Sequence, residues 1–378
     1  MKKTVQYTGL LILILGCCVL GLYFTGNGYL LKGFWASYLH GYNSASIGDH
    51  RFFNTRVIDK GESTEPWPDS DLLPIPVSDP LQKMIEKTGT VAFLVIRHDS
   101  LQLEIYREEH DETVISNSFS MAKSITTLLA QQAIQKGFLK GWNQKVKDLI
   151  PALHGPYAEE LELWHLSTMS SGMEWDEHYK NPFSVTAKAY YGEDITQLME
   201  QLPIIEKPGK AFVYQSGSTQ LLGMCVMRAT GKKLAELAAE WLWQPMGAEA
   251  YAQWHTDEKG TELAYCCFNA TAHDFARFGK LMLHHGRWNG SQLIDSAFVS
   301  MATKPALSPA YGYSFWLDNS HGTPVFYQRG ILGQYIIVIP EYDAVIVRLG
   351  HERIPPKTED PHTEDFHCYV EEVLKTWR

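Results

Sequence analysis

Charge is missing from one long stretch of this chain. After Lys2 and Lys3, no Asp, Glu, Lys or Arg occurs until Lys32. Other absences narrow the function. There is no CxxC and no HExxH or other metal-ligand spacing, so neither a zinc finger nor a zinc-protease helix is written here. There is no Gly-x-Ser-x-Gly, which excludes the α/β-hydrolase elbow, and no phosphate-binding glycine loop. Basic residues are outnumbered, 33 Lys and Arg against 43 Asp and Glu, and the net charge of -10 argues against nucleic acid as a partner. No internal repeat or low-complexity tract occurs. The 378 residues are otherwise of ordinary globular composition, 45% hydrophobic, with ample material for a core.

The uncharged gap contains Thr8 to Gly26 (TGLLILILGCCVLGLYFTG), about the roughly 20 apolar residues that span a bilayer. Lys2 and Lys3 before it set the N-terminal side in the cytoplasm and the rest of the chain outside. An uncleaved anchor is the expectation. The rivals are a cleaved signal peptide, which lacks an Ala-x-Ala-like site here, and a lipoprotein acylated at Cys17, where Leu15 is large for the position. Cys225, Cys266, Cys267 and Cys368 remain for the exported part; four buried thiols are the default expectation, one disulfide is the alternative, and no pair can be named.

Four segments are expected. Residues 1–31 form the anchor or signal. Residues 32–89 form a connector, because Pro66, Pro68, Pro74, Pro76 and Pro80 interrupt regular structure, apart from a short helix over Pro80–Lys87. Residues 90–352 form the main domain, and 353–378 a C-terminal helix packing on it. Val91–Arg97 and Leu101–Tyr106 read as a hairpin; Tyr313–Leu317, Pro324–Gln328, Gln334–Ile339 and Ala344–Leu349 read as strands. Between them the apolar period becomes helical, at Met121–Gly137, Thr219–Thr230, Lys232–Trp243 and Ala272–His285, with Thr271 and Asp274 as a capping pair. Strands at both ends around a helical middle predict an α+β fold with an antiparallel sheet built from the two chain ends.

Phe119-Ser120-Met121-Ala122-Lys123 holds the only serine with a lysine three positions on. At a helix start, that spacing puts hydroxyl and ammonium on one face. A serine hydroxyl needs a nearby base to become a nucleophile, and a lysine serves only if its environment disfavours its charge. A helix N-cap beside a solvated lysine explains the same four residues. Two further segments bear on the choice. Pro208 to Gly217 is extended and ends in Tyr214-Gln215-Ser216, where a tyrosine can carry protons. Gly330-Ile331-Leu332-Gly333-Gln334 opens a strand whose glycines admit a substrate backbone.

The ordered triple resembles the serine β-lactamase and D,D-peptidase superfamily, over roughly residues 85–352, where Ser-x-x-Lys precedes Tyr-x-Asn and then Lys-Thr-Gly. The flanking text VAFLVIRHDSLQLEIY, GFLKGWNQKVKDLIPAL and HLSTMSSGMEW is similar to the class C-like branch, and PGKAFVYQSGSTQLLG to 6-aminohexanoate-dimer hydrolase-type members. The resemblance implies that Ser120 forms an acyl-enzyme, Lys123 takes its proton and Tyr214 protonates the leaving group. It implies an oxyanion hole from the backbone N–H groups of Ser120 and Gln334 beside Gly333, with Ser216 near Lys123 where the family often has Asn. Ile331 stands where the third motif usually has Lys or His, which weakens the case for a β-lactamase; Arg329 is a replacement or a surface charge. Trp175 lines a pocket or packs in the core. His284, His285, His351, His362 and His367 are expected on the surface, without metal.

The expected function is therefore a membrane-anchored serine hydrolase of a small amide or ester, working outside the cytoplasm without cofactor or metal. A β-lactamase or penicillin-recognising D,D-peptidase is one alternative. A catalytically silent sensor of cell-wall peptides is another.

Overall fold

The computed structural model describes residues 2–42, 44–71, 75–357 and 359–378; Pro74 lies outside the described residues. Its centre is an antiparallel sheet of six strands. In chain order they are β1 (Thr90–Arg97), β2 (Ser100–Tyr106), β3 (Trp316–Asp318), β4 (Val325–Gly330), β5 (Gln334–Ile339) and β6 (Ala344–Gly350). Their spatial order is β2-β1-β6-β5-β4-β3, so the two chain ends meet where β1 pairs with β6. The central strands are continuous apolar runs because both faces are covered. The edge strand β2 alternates (LQLEIY) and is only partly buried.

One face carries the larger core and the helices α4 (Ala122–Gln135), α5 (Ser216–Thr230) and α6 (Ala272–Leu283); α1 to α3 are the earlier helices Lys2–Phe24, Tyr29–Ala36 and Asp79–Lys87. Thr271 caps α6 by accepting from Asp274 N. Gly279 lets α6 approach the sheet, since a Cβ there would lie 2.5 Å from Val345 Cγ1. The other face is covered by α3 and by α7 (Glu364–Lys375), which buries Phe366, Tyr369, Val370, Val373 and Leu374.

Several expectations shift. The strand expected from Tyr313 begins at Trp316, because Ser314 has a positive φ of 62° and Tyr313 and Ser314 donate to Ala302 O and Ser167 O instead of a ladder. Lys232–Trp243 is a short helix, Leu234–Ala238, followed by a π-turn over Ala239–Trp243. The proline-rich connector is no loose linker. Thr55–Ile58 pairs antiparallel with Ala252–His255 in a second sheet, which continues through Phe268–Ala270 to Ser116–Asn117. Trp67 Nε1 donates to His273 O, and the buried Arg277 holds Glu65 O. Proline removes donors but does not prevent packing. Of the histidines expected on the surface, His362 is 5% exposed and inward-facing, because α7 brings it against the sheet edge. Cys266 and Cys267, adjacent in sequence, are bonded to each other, while Cys225 and Cys368 are free.

By contrast α1 buries nothing. Thr4–Phe24 has a mean hydropathy of 2.2 and stands clear of the folded body, long and apolar enough to cross a membrane.

Candidate active site

Ser120 sits in a tight turn, Phe119–Met121, that leads into α4. Phe119 has a φ of 44°, a conformation few non-glycine residues adopt. The surroundings enforce it. Asn117 Oδ1 accepts from Phe119 N at 2.8 Å, and Asn117 Nδ2 donates to Asp49 Oδ1 at 2.9 Å. Asp49 also accepts from Tyr190 OH at 2.5 Å, and burial pushes its carboxyl up to about 6. So a residue of the proline-rich segment supports the turn that presents Ser120.

One helical turn on, Lys123 is 1% exposed. Its Nζ donates to Ser120 Oγ at 2.9 Å, Ser216 Oγ at 3.0 Å and Tyr265 O at 3.0 Å. An ammonium has three hydrogens, and each has an acceptor. The rings of Tyr214 and Tyr265 stand 5.1 Å and 5.5 Å from the same nitrogen. Ser120 itself stays partly open to solvent. A solvated lysine beside a helix cap does not describe this geometry.

Behind Ser216 lies a carboxylate that the sequence did not single out. Glu177 Oε1 accepts from Ser216 Oγ at 2.5 Å and Oε2 from Ser216 N at 2.8 Å, at the N-terminus of α5. Trp175 Nε1 and Tyr179 OH donate to the same carboxylate, at 2.6 Å and 2.5 Å. Trp175 is nearly buried, so its role here is to hold Glu177 while its ring forms one wall. The stretch Trp175-Asp176-Glu177-His178-Tyr179 was the available signal; nothing in its spacing pointed 39 residues on to Ser216.

The glycine pair resolves differently from the expectation. Ile331–Gly333 is a tight turn between β4 and β5, so Gly330, not Gly333, packs on the Ser120 turn; a Cβ on Gly330 would collide with Ser118 O. Gly333, with a φ of 79°, faces Arg348 instead. The Gln334 side chain is buried and bonds both polar groups of the Gly350 backbone. Tyr214 OH has no hydrogen-bond partner among the described residues, and its ring lies 5.6 Å from that of Trp316. Arg329 lies flat on Trp316, 3.4 Å from its centroid, and donates to Pro361 O. Past Trp175, a cleft of about 570 Å³ is lined by Met173, Val185, Leu202, Ile205 and Val213 among others, and does not include Ser120.

Comparison with known proteins fits this geometry. The Beta-lactamase family profile matches residues 81–365. The chain is 25% identical over 318 residues to the 6-aminohexanoate-dimer hydrolase of Paenarthrobacter ureafaciens, covering 78% of this chain and 79% of that one. Among solved structures, "Putative 6-aminohexanoate-dimer hydrolase from Bacillus anthracis" superposes with a TM-score of 0.78 at 23% identity, over 91% of this chain and 95% of that chain. A D-stereospecific amidohydrolase from a Streptomyces species superposes with a TM-score of 0.62 at 13% identity, over 79% and 99%. These two likenesses are likenesses of fold.

Proposed function

We propose, from the premise that this chain belongs to the beta-lactamase family, that it cleaves a small amide or ester through an acyl-enzyme on Ser120. Membership makes it a serine hydrolase. The finer reading rests on one observation above all: a fully enclosed Lys123 amine 2.9 Å from a partly exposed Ser120 hydroxyl.

In this reading a neutral Lys123 turns its lone pair to Ser120 and keeps its N–H bonds to Ser216 and Tyr265 O. Ser120 Oγ bonds to the carbonyl carbon as its proton passes to Lys123. The oxyanion accepts from the Ser120 backbone N–H and from a second backbone N–H, that of Gln334 as expected or that of Ile331, which follows the glycine packed on the Ser120 turn. The scissile C–N or C–O bond breaks, and Tyr214, whose hydroxyl is unengaged, gives the leaving group its proton. Water then attacks the acyl carbon, Tyr214 takes one of its protons, and Ser120 leaves with the proton held by Lys123. Glu177 fixes Ser216 and, through it, the amine. In this reading Arg329 meets a substrate carboxylate, a role supported by its stacking on Trp316, one ring from Tyr214. The substrate for which the relative is named, a 6-aminohexanoate dimer, carries both an amide and a carboxylate.

For location, α1 supports a membrane anchor. Beyond it, the aromatic residues Phe34, Trp35, Tyr38 and Tyr42 are exposed, with Leu39 among them, a belt of the kind that sits at a bilayer surface. The Cys266–Cys267 bond suits an oxidising compartment, as does a periplasmic or extracellular catalytic domain.

A fluorophosphonate probe tests the nucleophile: the wild type is labelled and Ser120→Ala is not. Equal labelling of both overturns the assignment. With p-nitrophenyl esters, nitrocefin and a 6-aminohexanoate dimer as substrates, turnover confined to nitrocefin overturns the amide or ester reading.

A further inference from the structure

Five titratable side chains far apart in sequence converge where the β3–β4 hairpin meets the start of α7. Asp318 ends β3 and His321 lies in the turn after it. Asp360 and His362 precede α7, and His367 is in its first turns. Asp318 Oδ2 is 3.7 Å from His321 Nε2, and His321 Nε2 is 3.0 Å from His367 Nδ1. One donor atom from each of Asp318, His321 and His367 lies within 4.8 Å of the other two. In a tetrahedral zinc site with bonds of about 2.0–2.1 Å, ligand atoms stand roughly 3.3 Å apart. The cluster is thus close to ligand spacing before any ion is placed.

The outer contacts point the same way. His367 Nε2 lies 3.0 Å from Asp360 Oδ2, the carboxylate–histidine pairing that fixes a ligand's tautomer and leaves Nδ1 facing inward as the acceptor. His362 Nδ1 lies 2.8 Å from Tyr327 OH, which leaves its Nε2 facing Asp318 Oδ1 at 3.6 Å. Ser320 N and Oγ donate to Asp318 Oδ2, orienting that carboxylate. Asp318 and His362 are each 5% exposed and the His321 side chain 10%, so the inner side of the group is shielded, while His367, at 25%, opens it to solvent on one side.

We propose that Asp318, His321 and His367 bind one zinc-class divalent ion, with His362 or water in the fourth position. Without metal, the His321 and His367 nitrogens need a shared hydrogen between them. With the ion bound to both nitrogens, that hydrogen stands on His321 Nδ1 instead, so the two imidazoles bind as neutral ligands with no net gain or loss of a proton. The ligands are an oxygen and two imidazole nitrogens, a set that suits zinc over calcium or magnesium. The site is structural. It staples α7 to the sheet edge, and the same Asp360–His362 loop supplies the Pro361 carbonyl that holds Arg329 over Trp316.

The full-length protein in detergent, stripped with a chelator, is titrated with cobalt(II) and separately with zinc. The expected result is one ion per chain. Cobalt should give the intense visible bands of four-coordinate N/O ligation, and zinc should raise the unfolding temperature on the order of 10 °C at about 1,000-fold excess over Kd. His321→Gln and His367→Gln should each abolish the bands and the thermal shift. A wild type that takes up no cobalt and shows no thermal shift overturns the proposal, and that measurement needs no variant to fold. Folded variants that bind as the wild type does overturn the assigned ligands.

Discussion

Two polar clusters share strand β4, and they differ in what they leave open. At one end Gly330 packs on the Ser120 turn. There Lys123 has an acceptor for every N–H, yet Ser120 is reached by solvent and Tyr214 OH has no partner among the described residues. In the middle Tyr327 bonds His362. That cluster is shielded on its inner side, and its donor atoms face one another. A group that must meet a substrate keeps an unsatisfied face; a group that clamps two elements turns its donors inward. Polarity and burial alone do not separate the two roles, but the direction of the spare hydrogen-bonding capacity does.

The largest effect that would break this contrast is at the open cluster. Lys123→Ala should lower kcat by about 10³-fold or more while the fold survives, since it removes the proton acceptor for Ser120. Steady-state rates on an activated ester, beside circular dichroism, check it. A drop of less than tenfold would make Lys123 a structural cation.

Glu177→Gln sharpens the comparison at a smaller scale. It keeps the shape and removes the charge that receives Ser216 N and Oγ, so kcat should fall roughly 10- to 100-fold, as for a lost charge-assisted hydrogen bond. The KM should move little. A change confined to KM would place Glu177 in substrate binding instead.

The smallest effect on rate belongs to Asp49, which lies behind the turn. Its folded pKa is raised from 3.8 to about 6, so the folded state holds its proton more tightly than the unfolded chain. The stability from this carboxyl is fully present below about pH 4 and is lost as pH rises through about 6, at most ~3 kcal/mol. Asp49→Asn should flatten that slope in urea midpoints measured from pH 4.5 to pH 7. An unchanged slope would assign it to other carboxyls.

Legibility followed distance along the chain. Ser120 and Lys123 are one helical turn apart, so their meeting could be read directly from spacing. Ser216 could be placed only through the order of motifs. Glu177 was missed because its partners are 39 residues on, and a lone Glu after a Trp carries no local sign of them. The close packing of Gly330 on the Ser120 turn was not legible, because the turn at Ile331–Gly333, with Leu332 at a φ of 63°, is not evident from a run that reads as strand. The prolines of residues 32–89 read as a sign of irregularity. They hid the packing, which Trp67, Asp49 and the strand Thr55–Ile58 supply. Asp318 and His367 meet only because the β3 edge and α7 are neighbours in space.

The Cys266–Cys267 bond closes no loop of chain. A crosslink stabilises chiefly by shortening the reach of the unfolded chain, and between adjacent residues that gain is close to nothing. What it secures is local. The Tyr265 carbonyl just before it receives Lys123, the Cys266 carbonyl receives Trp254 Nε1, and the Cys267 carbonyl receives His255 N. Three successive carbonyls are thus aimed at two elements, α4 and the strand Ala252–His255. The bond works as a clasp on the backbone that faces the amine, setting the direction of one dipole rather than the stability of the whole.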